Sequence, residues 1–247
     1  MNKRTKFGLI GKNISYSFSK KYFTEKFEKL KLKNLNYYNF DIPEIEEFPF
    51  LLYHREDDFR GLNVTIPYKQ SIIKYLDDIS DEAKEIGAVN TIKITNNNKL
   101  IGYNTDTYGF SKSIRPLLNA ASKKALILGT GGASKAIAYA LKQMDIAFKF
   151  VSRNNNLGIL YSDLNKELIE THLIIINCTP VGTSPNITEK PQIPYQFITK
   201  NHIAFDLIYN PEETAFLKAA KKQGAVVKNG LEMLQLQAEK SWEIWNS

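Results

Sequence analysis

Two ionisable side chains, Lys69 and Asp106, stand in short polar motifs ahead of a glycine-rich run. Residues 61–69 read G-L-N-V-T-I-P-Y-K, residues 104–106 read N-T-D, and residues 129–134 read G-T-G-G-A-S. An ammonium beside a ketone can stabilise the alkoxide that grows as hydride adds, and can supply its proton. A carboxylate near that lysine would orient it and bind a substrate hydroxyl. Lys69 and Asp106 are far apart in sequence, so their pairing rests on folding and not on helix spacing. As an exposed ion pair the same residues would contribute little.

Ser17, Ser19, Thr65, Asn90 and Asn104 are short hydrogen-bonding side chains near predicted element ends. Together they could hold a small polyhydroxylated acid. Singly, each residue type also serves as a cap or turn former. Asn63, just before Val64 and Thr65, also reads as structural.

The glycine run suits a dinucleotide. Gly129 permits a tight turn, Gly131 lets the backbone approach a pyrophosphate, and a small Ser134 allows the following helix to pack close to the sheet. A helix N-terminus offers its N–H groups and positive dipole end to phosphates. A glycine-rich turn between strand and helix can also be only a turn. The next strand ends in Val151-Ser152-Arg153, with no carboxylate until Asp163. A guanidinium at that place matches a 2′-phosphate by forked bonds and favours NADP; the alternative is a surface arginine at a strand end.

These groups need elements to carry them. Residues 6–10 predict a strand, 19–30 a helix, 35–40 and 61–65 two more strands. Pro67 predicts the opening of a helix, where its missing N–H costs nothing. Residues 89–94 and 100–103 alternate across the polar tract 96–98 and read as a hairpin. The second half changes rhythm: strands at 125–128, 148–151, 173–177, 203–207 and 225–227, with helices at 135–144 and 212–223. Strands alternating with helices predict βαβ units and a parallel sheet. Residues 231–245 predict a long helix with Leu231, Leu234, Ala238, Trp242 and Trp245 on one face.

The 247 residues suffice for one large domain or two small ones, and 43% hydrophobic with 24% charged residues is ordinary for a globular chain. No apolar stretch is long enough for a transmembrane helix. The basic start, residues 1–5, is not followed by a long apolar run, so no secretory signal is expected. The single cysteine, Cys178, excludes an intramolecular disulfide and fits cytoplasmic residence. It follows an apolar strand and reads as a small buried hydrophobe. The net charge of +7 comes from scattered lysines, with short pairs at 20–21 and 221–222. That pattern fits solubility and small anionic ligands, and no nucleic-acid partner is expected. His54, His172 and His202 are isolated, so no metal site is expected. There is no G-x-S-x-G elbow.

The combined motifs resemble the shikimate dehydrogenase family nearly end to end. The family's serine pair stands in Tyr16-Ser17-Phe18-Ser19. Its N-V-T-x-P-x-K is residues 63–69, its G-A-V-N-T residues 87–91 and its N-T-D-x-x-G-F residues 104–110. Its glycine loop is residues 129–133, its D-x-x-Y residues 206–209 and its G-x-x-M-L-x-x-Q residues 230–237. The resemblance implies NADPH-dependent, reversible reduction of 3-dehydroshikimate to shikimate, on the route to chorismate and the aromatic amino acids. It implies Lys69 as general acid/base with Asp106 as its partner. Ser17, Ser19, Thr65, Asn90, Asp106, Tyr209 and Gln237 would contact the substrate. Gly129, Thr130, Gly131, Gly132, Ala133, Ser152, Arg153, Thr179, Leu207 and Gly230 would line the NADP site.

The implied fold is α/β in two domains. Residues 1–105 plus 231–247 would form an α/β substrate-binding and catalytic lobe, to which the C-terminal helix returns. Residues 106–230 would form a Rossmann-type, doubly wound NADP lobe. The expected state is a cytoplasmic monomer or homodimer that meets no membrane. The chain departs from the family where Tyr16 replaces a histidine, Lys20 a proline, and Ser152-Arg153-Asn154 an N-R-T. Two other activities fit the same residues: a relative that also takes quinate with NAD, and a non-catalytic NADP-binding sensor.

Overall fold

The computed structural model describes residues 5–15, 17–53 and 58–247, with the side chains of Tyr53 and Asp58 set aside. Residues 1–4, Tyr16 and His54 therefore lie outside the described residues. The chain divides into two compact units: Met1–Thr105 with Ala238–Ser247, and Asp106–Gln237.

The first unit begins with β1 (Thr5–Gly11), α1 (Phe18–Lys29), β2 (Leu35–Asp41), α2 (Phe48–Tyr53) and β3 (Asp58–Val64). It continues through β4 (Asp78–Ile79), α3 (Asp81–Ile86), β5 (Thr91–Ile94) and β6 (Leu100–Tyr103). Its sheet runs β2-β1-β3-β5-β6-β4. β1 is parallel to both β2 and β3, whereas β5 is antiparallel to β3 and to β6. β5 and β6 form the hairpin that their alternation predicted, closed by a Thr95 N–H to Lys99 carbonyl bond of 3.0 Å. The strands are covered on both faces: Leu9 and Ile10, adjacent in β1, enter different cores. α3 is stopped by Gly87, which adopts φ 69° as a left-handed cap.

No helix opens at Pro67. The chain turns through residues 67–70 and makes one short 3-10 stretch, Ser71–Tyr75, after a cis Ile66–Pro67 peptide. The Lys69 carbonyl accepts from the Val89 N–H at 2.7 Å, so this oxygen serves tertiary structure in place of a helical ladder.

The second unit opens with α4 (Asp106–Ile114), followed by β7 (Lys124–Leu128), α5 (Gly132–Lys142), β8 (Ala147–Ser152) and β9 (Ile159–Leu160). Then come α6 (Lys166–Thr171), β10 (Ile174–Asn177), β11 (Ile203–Asp206), α7 (Ala215–Lys222), β12 (Val226–Lys228) and α8 (Leu231–Asn246). The order β12-β11-β10-β7-β8-β9, parallel throughout, is doubly wound, and its direction reverses between β7 and β10. Alternation along β7 explains the two cores. Ala125 and Ile127 meet Phe110 of α4 and Ile137 of α5, whereas Leu126 and Leu128 join Ile169 of α6 and Phe216 of α7. Leu128 pairs with Val151 and Asn177, and Asn177 with Asp206, so four strand ends stand level at the carboxyl edge.

α8 belongs to both units. Its buried stripe is Met233, Gln237, Ser241 and Trp245, joined by Ala238. This differs from the apolar face read from sequence: Leu231, Leu234 and Trp242 are only half-buried. The stripe includes polar residues because Ser241 finds buried partners. Its hydroxyl meets Thr91 Oγ1 at 2.7 Å and accepts from Asn63 Nδ2 at 3.0 Å.

Candidate functional site

The carboxyl edge of the second sheet gathers most of the predicted cofactor residues. Gly129 leaves β7 with φ +104°, a left-handed backbone that favours glycine. A Cβ at this place would meet the Thr179 methyl at 3.1 Å. Gly131 caps α5 without a side-chain bond, and a Cβ added there would meet nothing within 4 Å. Backbone at a helix N-terminus thus borders open space, the cradle that a pyrophosphate requires. Ser134, fully buried, packs α5 onto the sheet. The residues present therefore fit a dinucleotide.

Along the same edge, Ser152 is buried and its Oγ accepts from the Asn154 N–H at 3.1 Å, turning the chain after β8. Arg153, at that turn, is exposed. Gly230 donates to the Ile208 carbonyl at 3.0 Å, and a Cβ on Gly230 would come within 2.1 Å of the Leu207 carbonyl oxygen. Only glycine lets these two loops meet. Tyr209 is half-buried two residues beyond Leu207. Gln237 lies on α8 against α4, where a Cβ on Gly109 would stand 3.2 Å from the Gln237 Cβ.

In the first unit the segment 88–91 ties several predicted residues together. Asn90 gives its carbonyl to Val64 N at 2.8 Å, beside Thr65, while Val89 bonds the Lys69 carbonyl. Asn104 Nδ2 donates to the Ala88 carbonyl at 2.9 Å. The Asn90 carboxamide is itself buried: its Oδ1 accepts from Thr105 N at 2.7 Å and its Nδ2 donates to Thr105 Oγ1 at 3.0 Å. Asn90 thereby fixes the residue immediately before Asp106. Lys69 is half-buried, and Asp106 is buried as the first residue of α4.

The two serines have different surroundings. Ser17 caps α1, its Oγ accepting from Ser19 N at 3.2 Å. Ser19 is buried and hydrogen-bonds Tyr37, whose hydroxyl donates to Asn63 Oδ1 at 2.8 Å. Burial pushes the Tyr37 phenol well above its ordinary value, so it acts as a neutral donor. Asn63 is thus structural, the centre of a buried polar network that reaches Thr91 and Ser241.

Other titratable groups have packing roles. His202 Nδ1 accepts from Thr199 N at 3.0 Å, which leaves its Nε2–H to donate to the Ile169 carbonyl at 3.0 Å. His172 Nδ1 meets the Leu168 carbonyl at 2.8 Å. Burial raises the Cys178 thiol far above its ordinary range, leaving it neutral and poorly nucleophilic.

Sequence reasoning missed the support beneath the carboxyl edge. Asp206, fully buried, accepts from Asn177 Nδ2 at 3.0 Å, from Ile208 N at 3.0 Å and from Thr214 Oγ1 at 2.6 Å. Burial raises its carboxyl to about 6, while those three donors pull the other way. The D-x-x-Y motif signalled Asp206; nothing local signalled Asn177 or Thr214.

Residues 9–92 match the family model described as the shikimate dehydrogenase substrate binding domain. A shikimate dehydrogenase (NADP(+)) of Methanococcus maripaludis is 40% identical, covering 99% of this chain and 93% of that one. The solved shikimate 5-dehydrogenase of Thermus thermophilus, in complex with NADP(H) and shikimate, superposes with TM-score 0.86. It is 30% identical and covers 98% of this chain and 93% of that one. Shikimate dehydrogenase 1 of Peptoclostridium difficile is 40% identical with TM-score 0.80, covering 98% and 91%. With such similarity spanning both units, this chain belongs to the shikimate dehydrogenase family.

Proposed function

We propose that this protein catalyses the reversible, NADPH-dependent reduction of 3-dehydroshikimate to shikimate. One observation carries the reading: Gly131 borders open space at the N-terminus of α5, in a chain that matches shikimate dehydrogenases along 99% of its length. When bound, NADPH supplies the hydride that adds to the ring ketone carbon. The Lys69 ammonium stabilises the alkoxide that develops on the ketone oxygen and donates the proton that makes it a hydroxyl. In the oxidative direction the lysine amine takes that proton back. Asp106 is the carboxylate partner of Lys69 and accepts a bond from a substrate hydroxyl.

Ser17, Ser19, Thr65, Asn90, Tyr209 and Gln237 hold the remaining polar groups of the substrate in this reading. Ser17 is the best placed of the serines to donate, since its cap bond uses only a lone pair of its Oγ. The backbone of residues 129–133 and the α5 N-terminus take the pyrophosphate. Ser152, Arg153, Thr179, Leu207 and Gly230 border the rest of the cofactor, with the Arg153 guanidinium on the 2′-phosphate. Residues 1–105 with the end of α8 serve the substrate, and the doubly wound unit serves the cofactor. We place the enzyme in the cytoplasm as a monomer or homodimer.

The test crosses two acids with two cofactors. The purified protein should oxidise shikimate with NADP+, seen as growth of NADPH absorbance, and should be slower with quinate or with NAD+. No turnover of shikimate with either cofactor would reject the proposal. Equal rates with quinate and NAD+ would favour a broader quinate/shikimate enzyme.

A further inference from the structure

Asp206 is a buried carboxylate that the proposed chemistry leaves unused. Its three donors arrive from three places: the end of β10, the loop after β11 and the cap of α7. One of them has a direction to set. An Asn carboxamide can present oxygen or nitrogen on either side. The Asn177 Nδ2 faces Asp206, so its Oδ1 faces Thr179, accepting from Thr179 N at 3.0 Å and from Thr179 Oγ1 at 2.6 Å. With the hydroxyl held this way, the Thr179 methyl is turned toward Gly129, 3.1 Å from where a Cβ would stand. Both Asn177 and Asp206 are fully buried, so neither can touch a ligand.

We propose that Asp206 and Asn177 are positioning residues for the dinucleotide site. The carboxylate, together with the Val181 carbonyl that accepts from the same Nδ2 at 3.4 Å, holds the Asn177 carboxamide with its oxygen toward Thr179, and Thr179 in turn forms the wall against which the glycine loop turns. A carboxylate suits this role because it offers acceptors only. A carboxamide at position 206 has two placements: its N–H faces the Thr214 hydroxyl, which must then turn and accept, or it opposes the Asn177 and Ile208 donors and lets Asn177 reverse. A reversed Asn177 sets its NH2 against the Thr179 N–H and breaks the link to the glycine loop. This inference rests on the NADP reading above.

The experiment measures NADP+ affinity by titration calorimetry, alongside the melting temperature of the free protein and steady-state kinetics. Asp206→Asn is expected to raise the NADP+ dissociation constant and KM about tenfold. Its kcat at saturating cofactor and its KM for shikimate are expected to stay within about threefold of wild type, because the loop binds but does not react. Thr179→Val removes the hydroxyl that donates to Asn177 and accepts from the Val181 N–H at 3.3 Å, keeps a branched side chain of similar size, and is expected to raise the same constant about fivefold. It decides the matter if Asp206→Asn does not fold. A lowered melting temperature with unchanged NADP+ affinity in Asp206→Asn would overturn the proposal, as would unchanged affinity in Thr179→Val. Failure of the wild-type protein to bind NADP+ would instead sink the cofactor reading, and this inference with it.

Discussion

Replacing Lys69 with alanine separates chemistry from binding. Lys69→Ala is expected to lower kcat by about 10²- to 10⁴-fold, the usual worth of a positioned acid, while NADPH affinity measured by fluorescence titration stays near wild type. Near-normal turnover in that variant rejects the role given to the lysine. Asp206 makes a different prediction. Its carboxyl is raised to about 6 from an ordinary 3.8, so between those values the folded protein holds a proton that the unfolded chain has lost. Stability from this group is fully present below about pH 4 and is lost as pH rises through 6. The difference in unfolding free energy between wild type and Asp206→Asn should therefore change by on the order of 3 kcal/mol from pH 4 to pH 7, with wild type relatively worse at the higher pH. A pH-independent difference, read from urea unfolding, would mean that Asp206 ionises normally. At this scale the sequence spoke unevenly. The glycine loop was legible because its geometry is local: one strand end, one turn, one helix start. The Asn177–Asp206 link was not, because its partners come from separate strands and only register brings them level.

Helices and strands were read well wherever apolar periodicity was strong. Five of the six parallel strands of the second unit stand within a residue or two of their expected bounds, β9 being the exception; of these, β7, β10 and β11 are almost wholly buried while β8 and β12 are partly exposed. Pro67 predicts a helix that does not open there, and α2, α3, α4 and α6, each of nine residues or fewer, are not anticipated. Pro67 fits a helix start, but the carbonyl that would continue the ladder bonds Val89. α4 went unread: it is only nine residues long, and the residues around its buried Phe110 and Ile114 are mostly small or polar. α8 was found, yet its buried face was assigned by counting apolar side chains, and the structure buries Gln237 and Ser241 instead of Leu231 and Leu234. Packing of its last turn gives a further prediction. Trp245 is 2% exposed, lies tilted against Phe7 at 4.9 Å and Phe23 at 5.3 Å between ring centroids, and donates Nε1–H to the Ile92 carbonyl at 3.0 Å. Gly61 of β3 has no side chain to obstruct it, since a Cβ there would meet the indole at 2.2 Å. Trp245→Ala should cost about 3–5 kcal/mol of stability. A loss below about 1 kcal/mol in denaturant titration would show that the indole does not anchor the helix.

For the molecule as a whole, the net charge of +7 suits the anionic character of both proposed ligands. NADP+ at a hundredfold excess over its dissociation constant stabilises the form that binds it by about 2.7 kcal/mol. For a chain of this length that corresponds to a rise of roughly 5–10 °C in melting temperature. The absence of any rise in a thermal scan would count against the cofactor assignment.

Ala238–Ser247 belongs to the unit that the chain begins, although a whole intervening unit is made first. During synthesis, the ribosome releases the uninterrupted segment Asp106–Gln237 before the indole of Trp245 has emerged. The earlier-made half must then wait, with Phe7, Phe23 and the strip of Gly61 uncovered, until the last turn of α8 arrives to close it. Completion of the amino-terminal unit therefore waits on residues made after the whole of the second unit, which reverses the usual amino-to-carboxyl order of domain completion.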